Sequence, residues 1–355
     1  MYCRLRQGAA VLSRWLARWC RQPHPSGVTA RASVLAVELI APGLPARQAL
    51  ALVQRPSPEP GPGEVRLRLL ARPINPADLL LLDGRHLARP ALPAAIGIEG
   101  AAVVDAQGPG ATLSVGTLVA VPAGGTWREQ LVCAETQLLP LPPDVPVEQA
   151  AMLAVNPFTA LGLLRGLAPG SVVGLNAASS SLGRLLLVLG RRLGLRLVAL
   201  VRSLHMQQEL LDLGAEAVLK DGEDLAAQWR LLGLPPLQRA LDAVAGDASA
   251  RLFAQVAEGG ELVVYGLLAS ERVQLPAAEL VFRDVRVRGF SRLRVLQALP
   301  AAERLAMTEE LVALLRDGVM TSTVAARYPL AAVVEAIEAH QRPGRRGKIL
   351  LLSDP

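Results

Sequence analysis

The clearest chemical feature of the sequence is a run of small residues between a strand-like segment and a helix-like one. The apolar segment Ser171–Leu175 leads into NAASSSLG at positions 176–183, and helical character extends over Leu182–Leu193. Small residues let the backbone approach a pyrophosphate, whose charge the helix N-terminus favours. The alternative is an ordinary strand–helix turn. The residues predicted to contact a dinucleotide phosphate are Ser179, Ser180, Ser181, Leu182 and Gly183.

A basic residue follows the next apolar segment. Arg202 comes directly after Leu195–Val201, nineteen residues beyond Gly183. In dinucleotide-binding folds a carboxylate near this point bonds the ribose hydroxyl of NAD, whereas an arginine suits a 2′-phosphate. Arg202, with Ser203 as a second hydrogen-bonding group, therefore favours NADPH. A solvated arginine at a strand end is the alternative.

Two sequence patterns divide the chain into the elements that would position these residues. Residues 34–155 contain short apolar runs separated by Pro and Gly, which predicts an all-β, barrel-like domain. Residues 156–294 alternate strand-like and helix-like segments, as in a doubly wound parallel sheet. Residues 295–355 contain two helix-like segments and a last strand-like run, and we expect them to return to the first domain. The predicted fold class is α/β.

The formal net charge of +6 is confined to residues 1–33, which hold six arginines and no acidic residue. Leu12, Trp15, Leu16 and Trp19 recur there at helical spacing. An Arg-rich, acid-free amphipathic start is typical of a mitochondrial transit peptide, with a basic tail of no function as the alternative. The rest of the chain is formally neutral, which argues against a nucleic-acid partner. Its apolar runs are too short or too interrupted to span a membrane.

A set of short motifs runs through residues 40–352. They are Ile74-Asn75-Pro76-Ala77-Asp78 followed by Gly84, Gly97-Ile98-Glu99-Gly100, Gly125-Thr126-Trp127-Arg128, Asn156-Pro157-Phe158-Thr159-Ala160, Asn176-Ala177 before the serines, Tyr265-Gly266, Arg288-Gly289-Phe290 and Gly347-Lys348-Ile349-Leu350. Together they resemble the mitochondrial 2-enoyl thioester reductases, a zinc-free family of the medium-chain dehydrogenase/reductase superfamily that is also similar to the quinone oxidoreductases.

The resemblance implies a GroES-like catalytic domain and a Rossmann domain, with NADPH in the cleft between them and a homodimer as the assembly. It implies NADPH-dependent reduction of trans-2-enoyl thioesters in mitochondrial fatty acid synthesis. The acyl group would arrive on acyl carrier protein or coenzyme A in the matrix.

A zinc site is not expected. Zinc alcohol dehydrogenases of this superfamily carry a Gly-His-Glu motif, and the matching stretch here is Gly97-Ile98-Glu99. Ile98 has no ligand atom at the position of the histidine. Cys133 is the only cysteine after residue 33, so a cysteine metal cage or disulfide framework is excluded there.

The family's proposed acid is a tyrosine two residues after the Gly of a D-x-x-x-x-x-G stretch. In this chain that stretch runs from Asp78 to Gly84, so the tyrosine position is occupied by His86. Three interpretations stay open. His86 donates the proton, since imidazole titrates near neutral pH. Alternatively, water supplies the proton and the rate is lower. In the third interpretation, the family activity has been lost.

The resemblance also assigns the walls of the cofactor site. Asn156 would lie near the nicotinamide and substrate, with a turn or N-cap role before Pro157 as the alternative. Lys348 would reach the cofactor from the last strand. The family usually has a tryptophan where Ser291 stands. The remaining predicted contacts are Tyr265, Gly266, Leu267, Leu268, Phe290, Ser291, Arg292 and Leu293.

Three functions follow as hypotheses. The first is a mitochondrial enoyl-ACP/CoA reductase. The second is a quinone-oxidoreductase-like NADPH enzyme that reduces another activated alkene or a quinone. The third is an NADPH-binding protein without catalysis.

Overall fold

A computed structural model describes residues 33–353, which cluster into two compact units. The first unit contains residues up to Ala154 and those from Ser322, and the second contains Val155–Thr321. The predicted transit peptide lies outside the described residues except for Ser33. Within residues 33–353, none of the helices combines the length and apolar character needed to cross a membrane.

The elements are numbered along the chain. The strands are β1 Ser33–Leu39, β2 Leu50–Pro56, β3 Glu64–Pro73, β4 Ala94–Ala95, β5 Gly100–Gln107, β6 Leu118–Val121, β7 Gln130–Ala134, β8 Leu139–Pro140, β9 Val172–Leu175, β10 Arg196–Val201, β11 Ala215–Lys220, β12 Leu237–Asp242, β13 Val256–Val264, β14 Arg286–Gly289, β15 Val324–Pro329 and β16 Lys348–Leu352. The helices are α1 Ala46–Ala49, α2 Pro76–Leu82, α3 Val147–Ala151, α4 Asn156–Leu164, α5 Ser181–Arg192, α6 Gln207–Leu213, α7 Leu225–Leu231, α8 Asp247–Phe253, α9 Ala277–Phe282, α10 Arg292–Ala298, α11 Ala301–Arg316 and α12 Val333–Gln341. Short 3₁₀ turns occupy Glu135–Gln137, Leu204–Met206 and Leu330–Ala332.

The first unit is built on β-sheet, as its short apolar runs predict. One sheet has the strand order β2-β1-β4, and the other runs β15-β16-β3-β5-β6-β8, with β7 also paired to β3. Along β3 the alternate residues Val65, Leu67 and Leu69 are buried, which is the two-residue period of a strand with one face in a core. The last strand, β16, pairs antiparallel with β3 and so joins the C-terminal segment to this unit.

The second unit contains the predicted doubly wound sheet, and this prediction is confirmed. Its strand order is β11-β10-β9-β12-β13-β14, and every adjacent pair is parallel. Counted from β9, that order is 3-2-1-4-5-6, the arrangement of a Rossmann sheet. The direction of winding therefore reverses between β9 and β12, where ligands bind in folds of this kind.

The return to the first unit begins later than the sequence indicates. We expected it at residue 295, but the structure places α10 and α11 in the second unit and starts the return at Ser322. In the structure, α11 contacts α4 of the second unit and buries Leu311, Leu314 and Leu315. Two exposed ion pairs accompany this packing. Glu303 of α11 pairs with Arg165 at 2.7 Å, and Asp317 pairs with Arg192 at 3.7 Å.

Leu351 of β16 is fully buried in a core cluster of the first unit, which provides a test of how the C-terminal strand stabilises it. We expect Leu351→Ala to lower the free energy of unfolding by about 2–5 kcal/mol, because a core cavity is added to the lost transfer energy. Leu52→Ala, on the 49 % exposed Leu52 of β2, is the control and should change it by less than about 0.5 kcal/mol. Urea denaturation measures both, and equal effects would contradict the role given to β16.

Candidate active site

The run of small residues forms a tight turn between β9 and α5. Ala177 adopts a left-handed backbone conformation with φ of +50°. Ser180 holds the N-cap position of α5, and its hydroxyl accepts a hydrogen bond from the Gly183 amide at 3.1 Å. Ser181 and Leu182 form the first turn of the helix. The turn thus presents a helix N-terminus at the carboxyl end of β9, the geometry that favours a phosphate.

Gly183 has a steric reason to be glycine. A Cβ atom at this position would clash with the backbone of Ala178, including its carbonyl oxygen. Helix α5 therefore approaches the turn more closely than any other residue type at position 183 would allow. This is the role of the third glycine in dinucleotide-binding turns, which sets close packing of helix on strand.

Arg202 and Ser203 lie at the same edge of the sheet as the turn. Both are exposed and directly follow β10, which is parallel to β9. The Ala178 amide donates to the Leu200 carbonyl at 3.2 Å, so Arg202 comes two residues beyond a direct contact with the turn. The side chain of His205 adds a third polar group here, with Nδ1 at 3.2 Å from the Ser203 hydroxyl.

The segment Tyr265–Leu268 follows β13 at this edge too. The Tyr265 amide donates to the Asp242 carbonyl at 2.8 Å, and the Leu268 amide donates to the Ala243 carbonyl at 3.1 Å. The Tyr265 hydroxyl is buried without a hydrogen-bond partner. Burial, with a smaller contribution from the charge of Asp242, raises the pKa of this phenol, so the hydroxyl keeps its proton. It is a donor that a bound ligand could satisfy.

The other residues assigned to the second unit take up definite positions. Phe290 follows β14, and its ring lies against Gly162 of α4, where a Cβ would be 2.8 Å from the ring Cζ. Ser291 is the N-cap residue of α10, which begins with Arg292 and Leu293. Asn156 is the first residue of α4; Val155 takes the N-cap position instead.

His86 lies in the first unit, in the loop that follows α2. Its Nδ1 accepts a hydrogen bond from the Ala88 amide at 3.0 Å. Nδ1 therefore has no proton, and the neutral ring carries it on Nε2. Burial, and then the charge of Arg89, lower the pKa of the imidazole below its ordinary value. His86 is thus a neutral donor through Nε2 at pH 7 rather than an imidazolium acid.

Lys348 is buried among polar side chains of the first unit, with only 3 % of its surface exposed. Its ammonium donates to Asn75 Oδ1, and Asn75 Nδ2 donates to Glu99 Oε1 at 3.0 Å. The Asn75 backbone amide donates to Asp78 Oδ2 at 2.8 Å. Three of the motifs on which the family resemblance rests therefore meet in one buried cluster.

Burial acts on both charged ends of this cluster. It raises the pKa of Asp78 to about 7, although the Asn75 amide and Lys348 oppose the shift. It lowers the pKa of Lys348, while Glu99 and Asp78 favour the charged ammonium. The N-terminus of α2 is consequently tied to β16 by groups whose charges depend on one another.

Two buried polar residues at the sheet edge that carries the turn were not predicted as site residues from the sequence. Asn176 and Asp242 are both buried, and Asn176 Nδ2 donates to Asp242 Oδ1 at 2.6 Å. They lie at the carboxyl ends of β9 and β12, 66 residues apart in the sequence. No local spacing relates them, and only the strand order brings them together.

Within residues 33–353, no group of three or more His, Cys, Asp or Glu side chains is placed to hold a metal ion. Cys133 is buried, and burial raises the pKa of its thiol to about 12.

Comparison with known proteins agrees with this geometry. Residues 61–143 match the alcohol dehydrogenase GroES-like domain, and residues 181–308 match the family described as zinc-binding dehydrogenase. The human mitochondrial enoyl-[acyl-carrier-protein] reductase is 35 % identical over 303 residues, covering 81 % of this chain and 80 % of that protein. The Arabidopsis thaliana protein of the same name is 31 % identical over 279 residues, or 75 % and 74 % of the two chains.

Solved structures share the fold. A quinone oxidoreductase of Pseudomonas syringae is 26 % identical with a TM-score of 0.81, covering 90 % of this chain and 99 % of that one. A mycobacterial protein solved with NADPH has the same identity, TM-score and coverage.

A GroES-like domain joined to a Rossmann domain defines a medium-chain dehydrogenase/reductase. Within that superfamily, this chain belongs to the family of the mitochondrial enoyl-[acyl-carrier-protein] reductases. It is an oxidoreductase.

The buried Asp78 predicts a specific pH dependence of stability. Because its pKa is raised from 3.8 to about 7 in the folded chain, folding takes up a proton between these values. This carboxyl therefore favours the folded state at low pH, and its contribution is lost as the pH rises from about 4 to 7. As the pH rises across that range, the unfolding free energy of the parent should fall relative to that of Asp78→Asn, because the asparagine does not titrate. A difference independent of pH, by urea denaturation, would contradict the assignment.

Proposed function

We propose that this protein is an NADPH-dependent reductase of trans-2-enoyl thioesters. The observation that carries the proposal is the turn at the carboxyl end of β9, where Gly183 lets helix α5 approach the backbone and present its N-terminus. This turn lies at the reversal point of a Rossmann sheet, where dinucleotides bind. Membership of the enoyl-[acyl-carrier-protein] reductase family supports the substrate class.

The residues present fit a nicotinamide cofactor. The cradle at Gly183 suits a pyrophosphate, and the polar edge made by Arg202, Ser203 and His205 suits a 2′-phosphate. Ser179, Ser180, Ser181 and Leu182 would hold the phosphates, and Tyr265–Leu268 and Phe290–Leu293 would line the nicotinamide end. We assign Asn156 and Lys348 to the cofactor site on resemblance alone. Lys348 also donates a hydrogen bond to Asn75 and so stabilises the first unit.

NADPH would supply the hydride that is added at Cβ of the enoyl group. The protein must then stabilise the charge that builds on the thioester oxygen and allow a proton to reach Cα. We assign the first task to His86, which offers a neutral Nε2–H while its Nδ1 is held by the Ala88 amide. A neutral donor stabilises an oxyanion without having to be protonated at pH 7. Water then supplies the proton at Cα.

The physiological setting is proposed from the relatives and the leader. The related proteins are named as mitochondrial enzymes that act on acyl carrier protein. Residues 1–33 contain six arginines and no acidic residue, as transit peptides do. We therefore place this protein in the mitochondrial matrix, in fatty acid synthesis, with acyl carrier protein or coenzyme A as the carrier.

We also propose a homodimer. The edge strand β14 of the second unit has all four residues exposed, and Phe282 on the preceding helix α9 is 82 % exposed. An edge strand with unpaired backbone groups beside exposed apolar side chains is a surface that proteins normally cover. A second copy of the sheet edge would cover both.

A quinone or another activated alkene is the second candidate substrate. His86 stands where the family has its tyrosine, and Ser291 stands where the family usually has a tryptophan. The first change affects the proposed proton or oxyanion donor, and the second affects the wall assigned to the nicotinamide end of the site. A far higher kcat/KM for quinones than for enoyl thioesters would favour this candidate.

The choice of cofactor can be tested at Arg202. We expect Arg202→Ala to weaken NADPH binding about ten-fold and to leave NADH binding unchanged, because only NADPH carries the 2′-phosphate. Arg230→Ala, which removes an exposed arginine from α7, is the matched control for the loss of charge. Isothermal titration of both cofactors measures the effect. Equal losses for NADPH and NADH would count against the 2′-phosphate contact.

The reaction can be tested with trans-2-hexenoyl-CoA and the chain from residue 33 onward, following NADPH oxidation. We expect the parent to turn over and His86→Ala to lose about 10²-fold in kcat, the effect typical of removing one oxyanion donor. His86→Tyr should recover activity, because the phenol restores the family's donor. Equal NADPH affinity in all three proteins is the control.

The other outcomes are equally informative. An inert parent with an active His86→Tyr would mean that the scaffold is intact and the family activity has been lost. Three inert proteins that bind NADPH would exclude enoyl thioesters as substrates.

A further inference from the structure

A buried carboxylate joins the two strand ends that flank the reversal point of the second unit's sheet. Asp242 is the last residue of β12 and is fully buried, with its Oδ1 at 2.6 Å from Asn176 Nδ2. Asn176 directly follows β9, and its Oδ1 accepts from the Ala243 amide at 2.7 Å. Because β9 and β12 are adjacent, this pair bridges the ends of strands whose connections leave in opposite directions.

The same carboxylate also holds the segment after β12. Its Oδ1 accepts from the backbone amides of Val244 at 2.9 Å and Ala245 at 3.0 Å, and its Oδ2 accepts from the Ser249 hydroxyl. The carbonyl of Asp242 accepts from the Tyr265 amide. One residue therefore connects the phosphate turn, residues 243–249 and the segment that begins at Tyr265.

Backbone strain is concentrated beside this residue. Among residues 33–353, three non-glycine residues have positive φ, and two of them are Ala177 at +50° and Ala245 at +65°. Ala177 is adjacent to Asn176, and Ala245 donates to Asp242 directly. Such conformations cost free energy and persist only where the surrounding contacts hold them, as they often do at ligand clamps.

We propose that Asp242 is the positioning residue of the cofactor site. Through Asn176 it holds the phosphate turn, and through residues 243–249 and Tyr265 it holds the neighbouring wall of the same crevice. This inference rests on the proposed function, because it takes the crevice as the nicotinamide cofactor site. Asp242 is buried beneath these segments and acts through them. A displacement of about 1 Å in groups that orient a ligand can cost on the order of 10²-fold in function.

Four variants test this inference. Asp242→Ala removes every bond of the carboxylate, and Asn176→Ala removes the bridge to the turn together with the bond from the Ala243 amide. Asp242→Asn is conservative, because its amide oxygen can keep the three donors on Oδ1 while its NH₂ group faces the Ser249 hydroxyl. Leu237→Ala is the matched control. Leu237 is fully buried at the opposite end of β12, about 16 Å away at 3.3 Å per residue.

The readouts are the NADPH dissociation constant by isothermal titration and the melting temperature of each protein. We expect NADPH affinity to fall at least ten-fold in Asp242→Ala and Asn176→Ala, and Asp242→Asn to recover most of that loss. Leu237→Ala should lower the melting temperature and bind NADPH as the parent does. If Asp242→Ala does not fold, Asn176→Ala decides the question.

The outcomes separate this inference from the proposed function. If the parent binds NADPH and both alanine variants bind it equally well, Asp242 has no positioning role. The same conclusion holds if NADPH affinity falls in Leu237→Ala by as much as in Asp242→Ala and Asn176→Ala, because loss of stability then accounts for the effect. Failure of the parent itself to bind NADPH would overturn the proposed function.

Discussion

The second unit depends on how a parallel sheet ends where its winding reverses. At that point two adjacent strands finish together, and the backbone groups beyond them have no further strand to pair with. Here the buried Asp242 carboxylate and the Asn176 amide satisfy those groups and each other. The turn with Gly183 directly follows Asn176, and the segment from Tyr265 is hydrogen-bonded to the Asp242 carbonyl. The exposed Arg202 comes two residues beyond Leu200, whose carbonyl accepts from the Ala178 amide of the turn.

The first unit also depends on buried polar groups that satisfy one another. The ammonium of Lys348 is buried, and a buried charge must be paired or hydrogen-bonded. Asn75 accepts from it and donates to Glu99, so the start of α2 is tied to the last strand of the chain. The loop that carries His86 follows this helix. The position of the proposed oxyanion donor therefore depends on the cluster through Asn75, which lies 11 residues before His86 in the sequence.

Local patterns in the sequence predict a large part of this structure. Alternation of strands and helices predicts the Rossmann sheet, and the apolar run Lys348–Leu352 coincides with β16. Small residues before a helix predict the turn that requires Gly183. The start of the C-terminal return was not predicted, because the location of α11 depends on which helices its buried residues, such as Leu311 and Leu314, pack against. No local pattern in the sequence shows that packing. Asp242 was not predicted as a site residue, because its local sequence is that of the end of an ordinary buried strand.

The proposed reaction of this chain is the transfer of hydride from NADPH to an enoyl thioester. The most direct measurement is mass spectrometry of the product formed from trans-2-hexenoyl-CoA and NADPH carrying deuterium in the transferable position at C4. We expect hexanoyl-CoA with one deuterium, located at C3 of the acyl chain. A product without deuterium, or no product from a protein that binds NADPH, would contradict the proposed reaction.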